Sequence, residues 1–343
     1  MRRNPKNLLA RLLECNENSL IYNLTIAGII RWQRGPTKYN QDDKQKVNAL
    51  MTSKAPVGLI AVWKEADPLQ KLMTVDSVEA RLHARLYHGQ MAGCPVVLAE
   101  VGMGKAQTAA VSQHLIDRYG VGLLVSCGSA GAIDSRLRVG DVVLADKVAP
   151  HDFGEFTDAA FNYLGIFDNV HPDGLHYHRY LAADSALLAL ARQAAAAISW
   201  PNPEGGLDSG TPAIEVGCIA SGDQIIASEL KKRWLRETLG AVAVEMECVG
   251  MAQTAFINGL PWLAVRAISD QADSGIDIDL SRLVTYSDEA DTLAAKLWRK
   301  TSQAGQLVKD PRRLKAIMKI RQDIQRAASN AAMVTAAFIS QYT

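Results

Sequence analysis

The sequence predicts an α/β fold, a sheet carrying helices on its faces, and two observations predict it. From Pro56 onward short β-rich runs alternate with helical stretches, the order that α/β architectures impose. Small-residue clusters, Gly102-Met103-Gly104-Lys105 and Gly128-Ser129-Ala130-Gly131, follow such runs, at the strand ends where open α/β sheets place their sites. In order, Val57–Val62, Val96–Val101, Leu123–Ser126 and Val142–Ala145 read as strands, with Gln107–Tyr119 and Ser185–Ile198 as helices. Ile214–Ala220, Ala241–Val244 and Trp262–Ile268 read as further strands, Met246–Asn258 as a helix and Asp288–Leu307 as a closing one.

Three regions differ in texture. Residues 1–53 begin with a short helix (Asn7 to Glu14) and end in the polar run Lys38 to Lys46, the pattern of an N-terminal extension with a linker. Residues 54–308 form the main domain. Residues 309–343 form a C-terminal helical extension, basic and then alanine-rich over Arg312–Ile339, with Leu314, Ile317 and Met318 on one apolar face.

The chain has 343 residues, 48% apolar and 21% charged, the composition of a soluble globular protein. Lys+Arg 37 against Asp+Glu 36 leaves a net charge of +1 and no electrostatic footprint for a nucleic acid. The five cysteines stand apart with no Cys-x-x-Cys pair, which suggests a reducing cytoplasm rather than a disulfide framework. No stretch reaches the ~18 uncharged apolar residues of a membrane span, and the N-terminus is too polar for a signal peptide. A soluble cytoplasmic protein is expected.

Each motif has a plain structural reading beside a chemical one. Gly102–Lys105 lacks the third glycine of a dinucleotide fingerprint and the Ser or Thr of a Walker A loop; it is a tight turn, with or without a ligand at its N–H groups. Val244-Glu245-Met246-Glu247 sets two carboxylates where a strand becomes a helix, and the helix dipole alone favours Glu there. In Arg266-Ala267-Ile268-Ser269-Asp270 the last two residues suit a helix N-cap, and Glu65 alone reads as a surface charge. His171, His176 and His178 share one segment without metal-ligand spacing, so neither a metal nor a cofactor is expected. No Gly-x-Ser-x-Gly elbow offers a serine nucleophile.

Taken in order, these pieces resemble the nucleoside phosphorylase and nucleosidase superfamily, and most closely the 5′-methylthioadenosine/S-adenosylhomocysteine nucleosidases. The stretches that carry the resemblance are Gly58-Leu-Ile-Ala-Val-Trp-Lys-Glu65-Ala-Asp-Pro, Val101-Gly-Met-Gly-Lys105, Cys127-Gly-Ser-Ala-Gly-Ala132, Val139-Gly-Asp-Val-Val143, Ser221-Gly-Asp223, Val244-Glu-Met-Glu247 and Arg266-Ala-Ile-Ser-Asp270. The resemblance implies a three-layer fold like the purine and uridine phosphorylases, a twisted mixed sheet flanked by helices, and a homodimer. It also implies cleavage of the N-glycosidic bond of a purine nucleoside, a small-molecule partner.

Carried over motif by motif, Asp270 protonates the purine with Ser269 orienting it, and Glu65 is the general base that activates water. Alignment on the preceding strand alone puts the base at Ala66; alignment on Glu-Ala-x-Pro puts it at Glu65, the assignment adopted. Glu247 accepts from ribose hydroxyls, Met246 packs on the sugar, Ser129 and Ala130 line the pocket, and Ile225 and Ile226 hold the base where many members have an aromatic. Arg266 supports the acid and the water from behind.

Phosphorylases of this superfamily hold their anionic nucleophile with cations, whereas this chain has Ala61-Val-Trp-Lys-Glu65 and Ser126 at those places. Hydrolysis of an adenine nucleoside such as 5′-methylthioadenosine or S-adenosylhomocysteine is therefore the leading expectation. A phosphate-dependent phosphorylase, a nucleosidase acting on AMP or ATP through Arg179 or Lys231, and a non-catalytic nucleoside-binding protein are the alternatives.

Overall fold

A computed structural model describes residues 55–171, 174–200, 210–271 and 311–342. The expected Asn7 to Glu14 and Asp288–Leu307 helices lie outside the described residues. The described elements begin with β1 (Val57–Val62), α1 (Asp67–Lys71), β2 (Thr74–Arg81), β3 (Ala84–Met91), β4 (Cys94–Val101), α2 (Lys105–Tyr119), β5 (Leu123–Ala132) and β6 (Val142–Pro150). Two hairpins follow, β7 (Gly154–Phe156) with β8 (Phe161–Tyr163) and β9 (Ile166–His171) with β10 (Gly174–His178). The remainder is β11 (Leu181–Ala182), α3 (Ser185–Ala196), β12 (Ile214–Ser221), α4 (Glu229–Leu239), β13 (Ala241–Glu245), α5 (Cys248–Ile257), β14 (Trp262–Asp270) and α6 (Pro311–Tyr342).

Ten of the described strands form one mixed sheet in the order β11-β6-β12-β13-β5-β1-β4-β3-β2, and β14 joins it by pairing with both β5 and β6. That double pairing closes β5, β13, β12, β6 and β14 on themselves. β1, β5 and β14 are mutually parallel where they pair, so their C-terminal ends lie together, and Glu65, Ser129 and Asp270 stand at those ends.

β1, β4, β5 and β14 are buried on both faces, which is why they read as near-continuous apolar runs, whereas the edge strand β2 is exposed. Leu59 of β1, Leu98 of β4 and Val125 of β5 face one apolar cluster that α3 and α6 complete. Ile60, Val97 and Leu124 point the other way, into a cluster with Leu115 of α2 and Met251 of α5. These are the three layers that the sequence suggests.

Helix ends follow local chemistry. Asp184 caps α3 by accepting from Ala186 N and Leu187 N at 2.9 and 3.0 Å, and α2 stops at Gly120, whose φ of +63° suits glycine. The β2–β3 hairpin escapes sequence reading for a similar local reason. Its turn residues Leu82 and His83 both take positive φ, 53° and 56°, a conformation usually signalled by Asn-Gly.

The segment set apart in the sequence as 309–343 contributes Ala327, Ala331, Val334, Phe338 and Ile339 to the same core as β1, β4 and β5. Among the described side chains of α6 the buried ones fall between Ala327 and Ile339, whereas Met318 of the expected apolar face is exposed and Leu314 and Ile317 lie outside the described side chains. Phe338→Ala should destabilise the protein by ~3–5 kcal/mol, the cost of a large cavity, measured by urea unfolding of the full chain. A change below about 1 kcal/mol would show α6 to be a peripheral appendage.

Candidate active site

Arg266 is the fixed point of the site. Its side chain is 1% exposed, on the central strand β14, and a buried guanidinium must be paired to be tolerated. Its Nη2 lies 2.7 Å from Glu245 Oε2 and 3.5 Å from Glu247 Oε2, and its Nη1 lies 3.9 Å from Glu65 Oε2. Nη2 also donates to Ser126 Oγ at 2.8 Å, and Nε to Cys248 Sγ at 3.3 Å.

Each carboxylate is placed by its own segment. Glu65 follows β1 and accepts from both the N–H (3.1 Å) and the hydroxyl of Ser129. Gly128 makes this approach possible, because a Cβ there would stand 2.2 Å from Glu65 Oε2 and 2.6 Å from Arg266 Nη1. Glu245 ends β13 and accepts from Glu247 N at 2.8 Å and Cys248 N at 2.9 Å, so it caps α5. Glu247 accepts from Gly104 N at 3.1 Å. Its carboxyl is pushed up to about 7 by burial and by neighbouring Glu245, against the opposing pull of Arg266.

These groups face a cavity of about 260 Å³. All nine residues assigned to catalysis or substrate contact from the sequence line it: Glu65, Ser129 and Ala130 on one part, Ile225, Ile226, Met246 and Glu247 on another, and Ser269 with Asp270 at the end of β14. Ser269 Oγ donates to Asp270 Oδ2 at 2.8 Å. Arg266 is not among the described residues that line the cavity; it sits behind Glu65, Glu245 and Glu247.

Other sequence readings come out differently. In the Gly102–Lys105 turn the Gly102 N–H donates to Gln107 Oε1, and those of Gly104 and Lys105 donate to the carboxylates of Glu247 and Asp223. The Val139-Gly-Asp141 motif is structural, since Asp141 accepts from Arg138 N and Ala213 N at 2.8 and 2.9 Å. Arg179 donates to Thr238 O and Lys231 to His151 O, and neither is among the described residues that line the cavity. The described residues include no cluster of His, Cys, Asp and Glu suited to a metal. Sequence reasoning missed Ile324 of α6, which lines the cavity from 54 residues beyond Asp270, a distance at which no local signal exists.

Known proteins bear on this arrangement in the same sense. The profile of the Phosphorylase superfamily matches residues 58–304. A 5′-methylthioadenosine/S-adenosylhomocysteine nucleosidase of Mycobacterium bovis is 35% identical over 237 residues, covering 66% of this chain and 90% of the relative. One from Staphylococcus saprophyticus is 31% identical over 227 residues, 65% of this chain and 89% of the relative. The crystal structure of the Neisseria meningitidis nucleosidase with methylthio-immucillin-A superposes with a TM-score of 0.61 at 24% identity, covering 84% of this chain and 99% of that one. The chain therefore belongs to the phosphorylase superfamily. Within it, these sequence relatives are nucleosidases.

Arg266→Met should cost ~3–5 kcal/mol at about pH 8, because three acids lose their counter-charge in a low-dielectric site. The loss should shrink at about pH 5, where the orphaned carboxylates take up protons. Urea unfolding at the two pH values measures both; a pH-independent loss would show that packing, not charge, makes Arg266 necessary.

Proposed function

We propose that this protein is an N-glycosyl hydrolase that cleaves adenine nucleosides such as 5′-methylthioadenosine or S-adenosylhomocysteine and releases adenine. One observation carries the reading: Glu65, Glu247 and Asp270 converge on one cavity whose described lining residues include no Lys, Arg or His. A site for phosphate, whether as nucleophile or as part of a nucleotide, needs cations to hold it. The acids favour water and an uncharged 5′ group. The curated relatives carry the matching name.

In this reaction the C1′–N9 bond breaks and its electron pair leaves with the purine, which Asp270 protonates at N7. A water oxygen bonds to C1′ of the oxocarbenium-like sugar as Glu65 takes its proton. The Ser129 donors hold Glu65 in one orientation, and Ser269 does the same for Asp270. Glu247 accepts from the ribose hydroxyls and, as an anion, favours the positive charge that develops on the ring. Met246 packs on the sugar, and Ile225 and Ile226 bound the base. The chemistry is carried by residues 58–270 with Ile324, and it suits a cytoplasmic enzyme of methionine salvage.

The protein assembles as a homodimer through the face that carries the β7–β10 hairpins. Phe156 is 82% exposed there, and Phe153, Phe167 and Tyr177 form a chain of ring contacts with centroids 5.9 Å apart. An exposed aromatic cluster of this kind marks an association surface. Light scattering should give twice the chain mass, reduced to one chain mass by Phe156→Asp; a monomeric wild type would refute the assembly.

Incubation with 5′-methylthioadenosine, S-adenosylhomocysteine, adenosine, inosine, AMP and ATP, with and without phosphate, should release adenine and free sugar from the first two independently of phosphate. Asp270→Asn and Glu65→Gln should each lower turnover at least ~10²-fold, the scale of a general acid or base, with unchanged melting. Base release that requires phosphate would overturn the hydrolytic reading, and full activity in either variant would remove that residue from its role.

A further inference from the structure

The turn Gly102–Lys105 and the Ser221–Asp223 motif take no part in the chemistry above, yet their side chains meet beside the cavity. We propose that Lys105, Asp152 and Asp223 form a clasp that sets Glu247 and the base-binding residues in one geometry, so that all three are positioning residues for the reaction of this site. The kinetic consequence rests on the hydrolase reading; the clasp itself does not.

The three side chains close a ring. Asp223 Oδ1 accepts from Lys105 N at 2.8 Å, and Asp223 Oδ2 lies 3.8 Å from Lys105 Nζ. Lys105 Nζ donates to Asp152 Oδ1, and Asp152 Oδ2 accepts from Asp223 N at 2.8 Å. Lys105 opens α2, Asp152 follows β6 and Asp223 follows β12, so the ring ties together three segments that are remote in sequence. Burial opposes the charge on Asp152, but the Lys105 ammonium and the Asp223 N–H hold its carboxyl below the ordinary range. Charge-assisted bonds of this kind are about twice as strong as neutral ones.

Both ends of the ring reach substrate-facing groups. The N–H groups of Gly104 and Lys105 are consecutive on the backbone, one donating to Glu247 Oε1 at 3.1 Å and the other to Asp223. Fixing the second therefore aims the first. Gly104 has φ +105°, open to glycine, and a Cβ there would stand 3.1 Å from Asp223 Oδ1. At the other end, Gln224, Ile225 and Ile226 of the cavity follow Asp223 directly. The carboxyl of Glu247 is faced by Glu245 from β13, Arg266 from β14, Glu65 from beyond β1 and the Gly104 N–H. Of these the Gly104 donor alone depends on the clasp, and it favours the carboxylate form.

The test uses the full chain, labelled with 13C at the glutamate carboxyls, with the Glu247 resonance identified by its loss in Glu247→Gln. In Asp223→Ala the midpoint of Glu247 should move to higher pH by roughly 0.5–1, as one hydrogen bond to the charged form is lost. KM for the nucleoside should rise roughly tenfold while kcat changes less, the scale of one charge-assisted bond. Asp223→Asn should stay near wild type, since the amide oxygen still accepts from Lys105 N. Should Asp223→Ala not fold, Asp223→Leu, which fills the space of the carboxyl without an acceptor for Lys105 N, reads the same midpoint. An unmoved midpoint in a folded variant overturns the clasp whatever the substrate is. A moved midpoint with no base release from the wild type upholds the clasp and overturns the hydrolase reading instead.

Discussion

A single buried cation organises the acidic site. Arg266 stands on β14, the strand that bridges β5 and β6, and its guanidinium is out of reach of water. Taking such a charge from water costs several kcal/mol unless partners repay it. The partners come from three places: Glu65 beyond β1, Glu245 at the end of β13 and Glu247 at the start of α5. Without the guanidinium those carboxylates repel one another; without them the guanidinium is unpaired. The smallness of Gly128 belongs to the same constraint, since any side chain there intrudes on both Glu65 and Arg266.

The surroundings then divide the acids by task. Glu245 is spent on structure, capping α5 and pairing with Arg266. Glu65 is held at the cavity by two donors from Ser129. Burial and the neighbouring Glu245 push the carboxyl of Glu247 above the usual carboxylate range, while Arg266 and the Gly104 N–H pull it back toward the anion. Asp270 is more exposed than these and accepts from the hydroxyl of Ser269. Acids at different places around one cavity, set in different environments, are what separate protonating and deprotonating roles require.

Helix α6 adds a distant residue to the described lining of the site. It is tied to the sheet by Phe338 and Val334, and the same rigid helix presents Ile324 to the cavity. Residues that seal the apolar core thus also shape the space beside the acids. Around the hairpins β7–β10 the aromatic side chains divide, Phe161 and Tyr163 packing on Trp234 while Phe156, Phe167 and Tyr177 stay exposed.

Much of the proposed site is legible in the sequence through the family resemblance that short motifs at strand ends carry. That resemblance singles out Glu65, Ser129, Ala130, Met246, Glu247, Ser269 and Asp270, which the fold brings to one cavity, and the strands with two buried faces are legible as unbroken apolar runs. The β2–β3 hairpin is not, because positive φ at Leu82 and His83 is imposed by the sheet and not by a glycine. Nor is the difference between Glu245 and Glu247, two residues apart in one motif: both line the cavity, and only the fold gives Glu245 the N–H groups at the start of α5 together with the 2.7 Å pairing to Arg266. Sequence by itself determined the layer order and the chemical inventory, which depend on local periodicity and residue type. The tertiary structure alone decided which charges pair, how far burial shifts them and which distant helix closes the cavity, because each of these depends on contacts between segments that no local pattern specifies.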